Sequence, residues 1–194
     1  MNKNDEYIKN QLLESAKIKR QLSIDSLARI REIAEVCVKS TKNSGKIMFC
    51  GNGGSAADSQ HLAAELVVRL TAKTDRKPLP ALALTTDTSI LTASGNDYGF
   101  DHIFSRQVEV LGKPGDVLIA ISTSGNSPNV LKAVRTASSM KIITIGLSGK
   151  NGGELVKITD HFLSVPSDDV LRIQEAHITI GHIIIGLMEK LILS

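Results

Sequence analysis

Two pairs of polar side chains share helix faces and could carry chemistry. His61 and Glu65 are four residues apart, which places them on one face of a helix. Gln174 and His182 are eight residues apart on an apolar C-terminal helix and also share a face. Two imidazoles, a carboxylate and an amide oxygen can surround a metal ion. The two nitrogen donors favour zinc among the common ions, although glutamine is an unusual ligand.

Each of these side chains also has a purely structural explanation. His182 stands among isoleucines at 180, 183, 184 and 185, and a buried imidazole needs only a hydrogen-bond partner. His61 and Glu65 alone form a common surface pair. We interpret the other histidines, His102, His161 and His177, as structural. The residue types therefore leave both a metal site and a set of ordinary helix residues open.

Two loops follow predicted strands and suit a phosphorylated ligand. Residues 51–55, Gly-Asn-Gly-Gly-Ser, precede a helix predicted over 56–70, and the glycines let backbone N–H groups approach a ligand. Ser55 and Asp58 have the spacing of a capping box. Residues 122–128, Ser-Thr-Ser-Gly-Asn-Ser-Pro, offer four hydroxyls at a helix start, with Ser127 as N-cap and Pro128 at the first helical position. Together the loops predict a phosphate site that needs no lysine.

Other interpretations of these loops are weaker. Gly51-x-Gly53-x-x-Ala56 partly matches a dinucleotide-binding fingerprint, but no strand ending in an acidic residue follows about twenty positions later. We therefore expect no nicotinamide cofactor. A turn rich in serine and threonine is more often only a turn. The phosphate prediction depends on finding both loops at strand ends, where ligands of open parallel sheets bind.

The scaffold for these residues is predicted from short apolar runs. Five of them are typical of strands buried on both faces, at 47–50, 81–84, 117–121, 142–145 and 162–165. Helical patterns lie between most of these runs, which favours a parallel sheet in a three-layer α/β fold. The first forty-odd residues are helical and stop at 43–45. The last helix, roughly 171–193, is apolar around most of its circumference, so we expect it to pack against other subunits.

Composition excludes several classes of protein. The 194 residues suffice for one sizeable domain, and 42% apolar with 22% charged residues is ordinary for a soluble protein. A net charge of +3 and an aromatic content of 3% make nucleic acid an unexpected partner. Cys37 and Cys50 are predicted to be buried thiols. We recognise no signal peptide, and Ile178 to Met188 is too short to span a bilayer, so we expect a cytoplasmic protein without a membrane partner.

Four sequence blocks together resemble a known enzyme family. They are Cys-Gly-Asn-Gly-Gly-Ser-Ala-Ala-Asp-Ser-Gln-His at 50–61, Gly-Asn-Asp-Tyr-Gly-Phe at 95–100, Ile-Ser-Thr-Ser-Gly-Asn-Ser-Pro-Asn-Val at 121–130 and Arg-Ile-Gln-Glu-Ala-His at 172–177. In order and spacing they resemble the phosphoheptose isomerases of the SIS (sugar isomerase) domain group. The resemblance implies a three-layer αβα, flavodoxin-like SIS fold with a five-stranded parallel sheet. It also implies one domain over 1–194, with an N-terminal helical arm at 1–44 and a core with a long C-terminal helix at 45–194, assembled as a homotetramer.

The resemblance also implies roles for individual residues. Substrate contacts would come from Asn52, Gly53, Gly54, Ser55, Glu65, Asn96, Asp97, Ser122, Thr123, Ser124, Ser127 and Gln174, the serine loop holding the phosphate. One zinc per subunit would be bound by His61, Glu65, Gln174 and His182. Glu65 and His182 would be the catalytic proton-transfer pair. The sequence departs from the family at Val170-Leu171, which is more apolar than usual and puts a substrate contact there in doubt.

The implied activity is the conversion of sedoheptulose 7-phosphate to D-glycero-D-manno-heptose 7-phosphate. It would be the first step of bacterial ADP- or GDP-heptose biosynthesis, towards lipopolysaccharide or related glycans. A carboxylate near the sugar carbons and an imidazole near the oxygens can perform it through an enediol. The alternative is a non-enzymatic SIS-domain binding protein of the replication-initiator-binding type, which would need neither Glu65 nor His182. A sugar-phosphate-sensing regulator is disfavoured because no DNA-binding motif accompanies the SIS-like region.

Overall fold

A parallel sheet forms the centre of the computed structural model, which describes residues 2–193. Its strands are β1 Ile47–Gly51, β2 Ala81–Ala83, β3 Val117–Ile121, β4 Ile143–Ser148 and β5 His161–Ser164. Every neighbouring pair is parallel, and the order is β2-β1-β3-β4-β5. This order is the flavodoxin-like one. All five predicted strands are confirmed, as is the parallel sheet.

Helices connect the strands and cover both faces of the sheet. Over residues 2–193 they are α1 Lys3–Asp25, α2 Leu27–Lys42, α3 Gly54–Val67, α4 Thr88–Tyr98, α5 Ser105–Leu111, α6 Pro128–Ser139, α7 Leu155–Ile158 and α8 Val170–Leu193, with a 3₁₀ helix at Phe100–His102. The predicted end of the N-terminal helical region at 43–45 is confirmed. The C-terminal helix begins one residue before its predicted start.

Side chains of the central strands alternate between two hydrophobic cores. Ile47 and Phe49 pack in the core that contains residues of α1, α2, α3 and α8. Met48 and Cys50 pack in the opposite core, which contains residues of α5, α6 and α7. The three-layer α/β prediction is therefore confirmed, and α3 and α8 lie in the same layer.

The two cysteines are buried thiols. Cys37 and Cys50 are both buried and free, as the sequence predicts. Burial raises the pKa of each thiol to about 12. A thiol that stays protonated near neutral pH is neither a nucleophile nor a metal ligand.

The helix α8 is longer than its most apolar run. It has 24 residues, and by length and composition alone it is the helix among residues 2–193 that could cross a bilayer. The sequence analysis judged residues 178–188 too short to span a bilayer. The whole of α8 is long enough, so that judgement does not extend to the complete helix. Its inner face packs in the core through Ile173, Ile180 and Ile184, each less than 5% exposed. Core helices of soluble proteins pass the same length test, so this finding does not indicate a membrane span.

The sheet topology brings the two candidate ligand loops together. β1 and β3 are adjacent, and their last residues, Gly51 and Ile121, are register partners. The chain leaves β1 towards β2 on one side and leaves β3 towards β4 on the other. Such a reversal opens a crevice beyond the carboxyl ends of the two strands, where ligands of this architecture bind.

Candidate active site

The glycine loop starts α3 earlier than the sequence predicts. Gly53 is the N-cap residue, with φ +54°, a conformation that favours glycine, and α3 begins at Gly54. Ser55 therefore lies inside the first turn, only 3% exposed, and its side chain caps nothing. The predicted capping box of Ser55 and Asp58 is wrong, because the glycine conformation ends the loop two residues sooner.

The serine loop forms a compact turn at the start of α6. The Ser122 and Ser127 hydroxyls are 3.0 Å apart, and the Ser124 Oγ accepts a 3.1 Å hydrogen bond from the Asn126 N–H. Gly125 has φ +67°, and a Cβ there would lie 2.0 Å from the Gly152 carbonyl oxygen, so only glycine fits. Hydroxyls and a positive helix end are thus grouped at one point, as anion binding requires.

The helix α6 begins as predicted, but its N-cap works differently. Pro128 is the first helical residue and Ser127 the N-cap, yet the Ser127 side chain makes no capping hydrogen bond. Its hydroxyl faces Ser122 instead. The first N–H groups of α6 therefore receive no bond from this side chain.

The two loops are joined by a pair of asparagines. The Asn52 Nδ2 donates to the Asn129 Oδ1, and the Asn129 Nδ2 donates to the Asn52 Oδ1, both at 2.9 Å. Asn129 is 1% exposed, and its Oδ1 also accepts from the Val130 N–H. The sequence analysis missed Asn129, because an asparagine after Pro128 is typical of an exposed first helical turn. The pairing fixes the orientation of the Asn52 amide.

Three of the four predicted metal ligands meet where α3 and α8 pack together. The Nε2 atoms of His61 and His182 are 2.8 Å apart, and the His61 Nε2 is 3.5 Å from the Glu65 Oε1. One ligand atom from each of the three residues lies within 4.8 Å of the others. The side chain of His61 is 48% exposed and that of Glu65 is 20% exposed. The cluster is thus open to a ligand on one side.

Gly181 permits the close approach of the two helices beside this cluster. A Cβ at this position would lie 2.5 Å from the Leu62 Cδ2, and Leu62 is 2% exposed. Leu62 and Gly181 each directly adjoin a cluster histidine in sequence. The absence of a side chain at Gly181 therefore helps to determine how close His61 and His182 come.

Gln174, the fourth predicted ligand, lies against the glycine loop. Atoms of its side-chain amide are 2.5–2.8 Å from where a Gly54 Cβ would stand, so a side chain at Gly54 would collide with it. Asn96 and Asp97 lie in the last turn of α4, exposed and hydrogen-bonded to each other at 2.8 Å. Among residues 2–193, neither has a side-chain hydrogen bond to the glycine or serine loop.

Asp58 adds an unusual carboxyl group to α3, one turn before His61. Its Oδ2 is buried and has no hydrogen-bond partner among the described residues. Burial raises the pKa of this carboxyl to about 6, and the nearby His61 partly opposes the shift. Asp58 therefore takes up a proton at a pH at which an exposed aspartate stays ionised.

The donor set of the cluster fits a divalent metal ion. Two imidazole nitrogens and a carboxylate are ligands that zinc accepts, and catalytic zinc sites bind three protein groups and keep a position open. Two nitrogens bound to one tetrahedral zinc ion stand about 3.3 Å apart, close to the 2.8 Å separation found here. Among residues 2–193 this is the one grouping of three or more His, Cys, Asp or Glu side chains of this kind. The donors do not by themselves distinguish zinc from neighbouring transition metals.

Comparison with known sequences places the chain among sugar isomerases. The SIS domain family profile matches residues 10–149. The phosphoheptose isomerase of Rhodospirillum rubrum is 55% identical over 170 residues, which is 88% of this chain and 89% of that protein. The phosphoheptose isomerase of Burkholderia pseudomallei is 50% identical over 185 residues, which is 94% of this chain and 93% of that protein.

Solved structures agree with the sequence comparison. A phosphoheptose isomerase from Francisella tularensis superimposes with a TM-score of 0.92 at 37% identity, covering 98% of this chain and all of that one. The phosphoheptose isomerase of Neisseria gonorrhoeae gives a TM-score of 0.90 at 43% identity, covering 96% of this chain and 98% of that one. The likeness extends over nearly the whole chain.

Proposed function

This chain belongs to the SIS domain family and, within it, to the phosphoheptose isomerases, and we propose from that premise how its site works. It isomerises sedoheptulose 7-phosphate to D-glycero-D-manno-heptose 7-phosphate. The reaction is a ketose–aldose interconversion, formally an intramolecular oxidoreduction, and proceeds by proton transfer through an enediol. We assign it to the cytoplasm, as the first step towards a nucleotide-activated heptose for lipopolysaccharide or a related glycan.

One observation carries this proposal, the meeting of a carboxylate and two imidazoles on helices that adjoin the crevice between the glycine and serine loops. Glu65, His61 and His182 come from two helices, and their ligand atoms lie within 4.8 Å of each other. The helix that carries Glu65 starts at the glycine loop, and Gln174 of α8 lies against the same loop. A protein that only binds a sugar phosphate needs the loops but not this cluster.

Glu65 and His182 divide the proton transfers between carbon and oxygen. The Glu65 carboxylate takes the proton from C1 of the ketose, and O2 receives a proton from His182, which gives the cis-enediol. Glu65 then returns its proton to C2 while O1 gives a proton back to His182, which leaves the aldehyde at C1. Each group ends in its starting protonation state, as a catalytic acid and base must.

The two loops hold the far end of the substrate. Ser122, Thr123, Ser124 and Ser127 bind the 7-phosphate, helped by the N-terminus of α6. Asn52, Gly53, Gly54 and Ser55 of the glycine loop, together with Asn96, Asp97 and Gln174, contact the sugar chain. Ser55 is the least accessible of these residues, since it is 3% exposed and its N–H donates to the Asn52 carbonyl oxygen. Binding energy from the phosphate positions C1 and C2 at the cluster.

The metal of this site is zinc, one per subunit, with His61, Glu65, Gln174 and His182 as its ligands. When bound, it supplies Lewis acidity to the substrate oxygens and holds the cluster in shape. A lone pair of Glu65 or His182 that binds metal is not free to accept a proton. Proton transfer by Glu65 and His182 would therefore use the carboxylate oxygen and the ring nitrogen that do not hold the metal.

The active unit is a homotetramer of chains that each act as one SIS domain. The arm at 1–44 shares the main core through Ile18, Leu22 and Ile30, which supports treating 1–194 as one domain. The outer face of α1 exposes large apolar side chains, with Tyr7 65%, Leu12 68% and Leu13 56% exposed. A surface of this kind favours burial against another subunit.

Direct assay of the purified protein tests the proposed function. Incubation with sedoheptulose 7-phosphate is expected to yield the aldose 7-phosphate, detected by chromatography or by NMR of its anomeric protons. Fructose 6-phosphate, one carbon shorter, serves as the control for substrate length. An unchanged heptulose pool at high enzyme concentration would favour the binding-protein alternative, which the comparisons with isomerases do not support.

A further inference from the structure

A buried ion pair lies at the end of the catalytic helices. Arg76, in the segment after α3, donates from its Nε to the Glu189 Oε1 of α8 at 2.8 Å. The two side chains are 1% and 6% exposed. The same Glu189 oxygen also accepts a 3.2 Å bond from the Leu70 N–H. The charges are therefore paired, withdrawn from water and bonded to the backbone.

The Arg76 guanidinium also caps the C-terminus of α3. Its Nη2 donates to the backbone oxygen of Glu65 at 2.8 Å, and its Nη1 donates to that of Leu66 at 2.9 Å. These carbonyls belong to the last turn of α3, where no further helical N–H reaches them and where a positive charge is favoured. Arg76 thus holds the very residue that carries the proposed base.

Glu189 is the partner of Arg76 on the other helix, α8. It lies seven residues after His182, two turns along α8, so the two side chains share a face. The ion pair therefore joins the backbone of Glu65 to the helix of His182 through one guanidinium and one carboxylate. Gly181 and Leu62 set the approach of the same helices closer to the start of α8.

We infer that Arg76 and Glu189 are positioning residues that fix the spacing between Glu65 and His182. The inference rests on the proposed function, since it assigns both partners of the pair to the proton-transfer reaction. Neither residue touches the substrate. Their effect on turnover comes through the helix ends that they hold.

The burial of the pair supports a geometric role over a stabilising one. Two charges withdrawn from water repay their desolvation only with excellent geometry, and apolar residues of similar volume often stabilise a fold as well or better. An apolar replacement can therefore keep the fold while removing the directional bonds. A displacement of about 1 Å among catalytic groups can reduce turnover about 100-fold.

The double variant Arg76→Met/Glu189→Leu tests the inference, because it removes both charges together. We expect the variant to unfold within a few degrees of the wild type, with kcat reduced at least tenfold and KM changed less than threefold. Competition with a chromophoric zinc chelator is expected to show metal affinity reduced about tenfold, as when groups that orient metal ligands are lost. That readout does not depend on turnover, so an inactive wild type would count against the proposed function alone.

A second variant and a control keep the test decisive. Arg76→Lys retains the charge but loses the fork that reaches two carbonyls and Glu189 together, and it is expected to lower kcat with the fold intact. Lys46→Met breaks the ion pair with the buried Asp116 at the amino ends of β1 and β3, away from the ligand loops, and it should reduce stability while kcat and zinc affinity stay at wild-type values. Wild-type kcat and zinc affinity in both Arg76 variants would overturn the inference. So would equal losses in Lys46→Met, because they would show an effect of stability alone.

Discussion

Asn52 and Asn129 exchange two 2.9 Å hydrogen bonds between loops that are 77 residues apart in sequence. Each amide is donor and acceptor at once, and the bond from the Val130 N–H to the Asn129 Oδ1 selects the one orientation of the pair in which all three bonds form. Asn52 belongs to the proposed sugar-binding loop, and Asn129 lies in the first turn of α6, directly after the proposed phosphate loop. The pair therefore couples the two halves of the proposed substrate site.

Replacing Asn129 by Asp is expected to raise KM about tenfold or more, with a smaller effect on kcat. The aspartate places an acceptor oxygen opposite the Asn52 Oδ1, and an unpaired buried polar group costs about 1–3 kcal/mol. Steady-state kinetics with sedoheptulose 7-phosphate measures both constants. Asn129→Leu is the control, because it loses the same donor bond to the Asn52 Oδ1 without adding a charge. A wild-type KM in Asn129→Leu would assign the effect to charge rather than to orientation.

The sheet could be predicted from sequence because its strands are buried on both faces. The run at residues 117–121 is entirely apolar and is buried along its whole length, so the strand has the bounds that the sequence predicts. The topology follows from the alternation of these runs with helices. Helix starts were less predictable, because the positive φ of Gly53 moved the start of α3 ahead of Ser55.

The candidate site could be predicted where a local sequence signal exists, in the helix spacing of His61 and Glu65 and in the composition of the two loops. The residue types of His61, Glu65 and His182 suggested a metal site, and the resemblance to a family supported it. Asn129, Arg76 and Glu189 have no such local signal. The Arg76–Glu189 pair spans 113 residues, and only the packing of α8 against the end of α3 brings the two together.

Ser124→Asp is expected to abolish substrate binding while the fold is kept. An aspartate oxygen can still accept the bond from the Asn126 N–H that Ser124 accepts now. Its charge, however, stands beside the phosphate, and like charges about 4 Å apart near a protein surface repel by about 4 kcal/mol. We expect KM to rise at least about 100-fold, whereas the neutral Ser124→Asn variant binds far better. Unchanged KM in Ser124→Asp would remove the serine loop from the phosphate site.

Removal of one imidazole is expected to remove the metal. Protein purified without chelator should contain about one zinc per chain by elemental analysis, and His61→Ala should contain much less. His61 is half-exposed, so its loss leaves the core intact. His102→Ala provides the matched control, since His102 bonds to Lys132 and is not part of the cluster. Equal zinc in His61→Ala and wild type would exclude His61 from the site.

His177 is expected to make stability fall in mild acid. The ring is fully buried, and burial lowers its pKa from 6.5 to about 4, a shift that a bond to the Ser148 carbonyl only partly opposes. Because the unfolded chain takes up the proton first, this contribution is complete above about pH 6.5 and is lost as the pH falls towards 4. The full loss is about 3 kcal/mol.

Denaturant unfolding at pH 7, 6 and 5 measures this effect against a His177→Gln variant. Glutamine can keep a bond to the Ser148 carbonyl but does not titrate. The free energy of unfolding of the wild type should fall relative to that of the variant at each step towards acid. The Asp58 carboxyl, with its pKa raised to about 6, changes stability in the opposite direction but equally in both proteins. Parallel pH profiles would show that His177 does not titrate as described.

The assignment of Glu65 as the base depends on where the substrate proton goes. An enediol route lets the proton held by Glu65 exchange with solvent before it returns to carbon. Glu65→Gln keeps the side-chain size and an oxygen ligand but cannot accept that proton, so we expect it to bind substrate and to lose turnover about 100-fold or more. Zinc content must be measured in the same samples, because lost metal would otherwise resemble a lost base.

Reaction in deuterium oxide, followed by NMR or mass spectrometry of the heptose product, is the most direct measurement. The enediol account predicts deuterium at C2 of the aldose, and at C1 of recovered ketose where the reverse step is fast. In Glu65→Gln with normal metal content, exchange and turnover should both disappear. A product that carries no deuterium at C2 would indicate direct hydride transfer within the substrate and would contradict the account, and exchange retained in Glu65→Gln would assign the base to another residue.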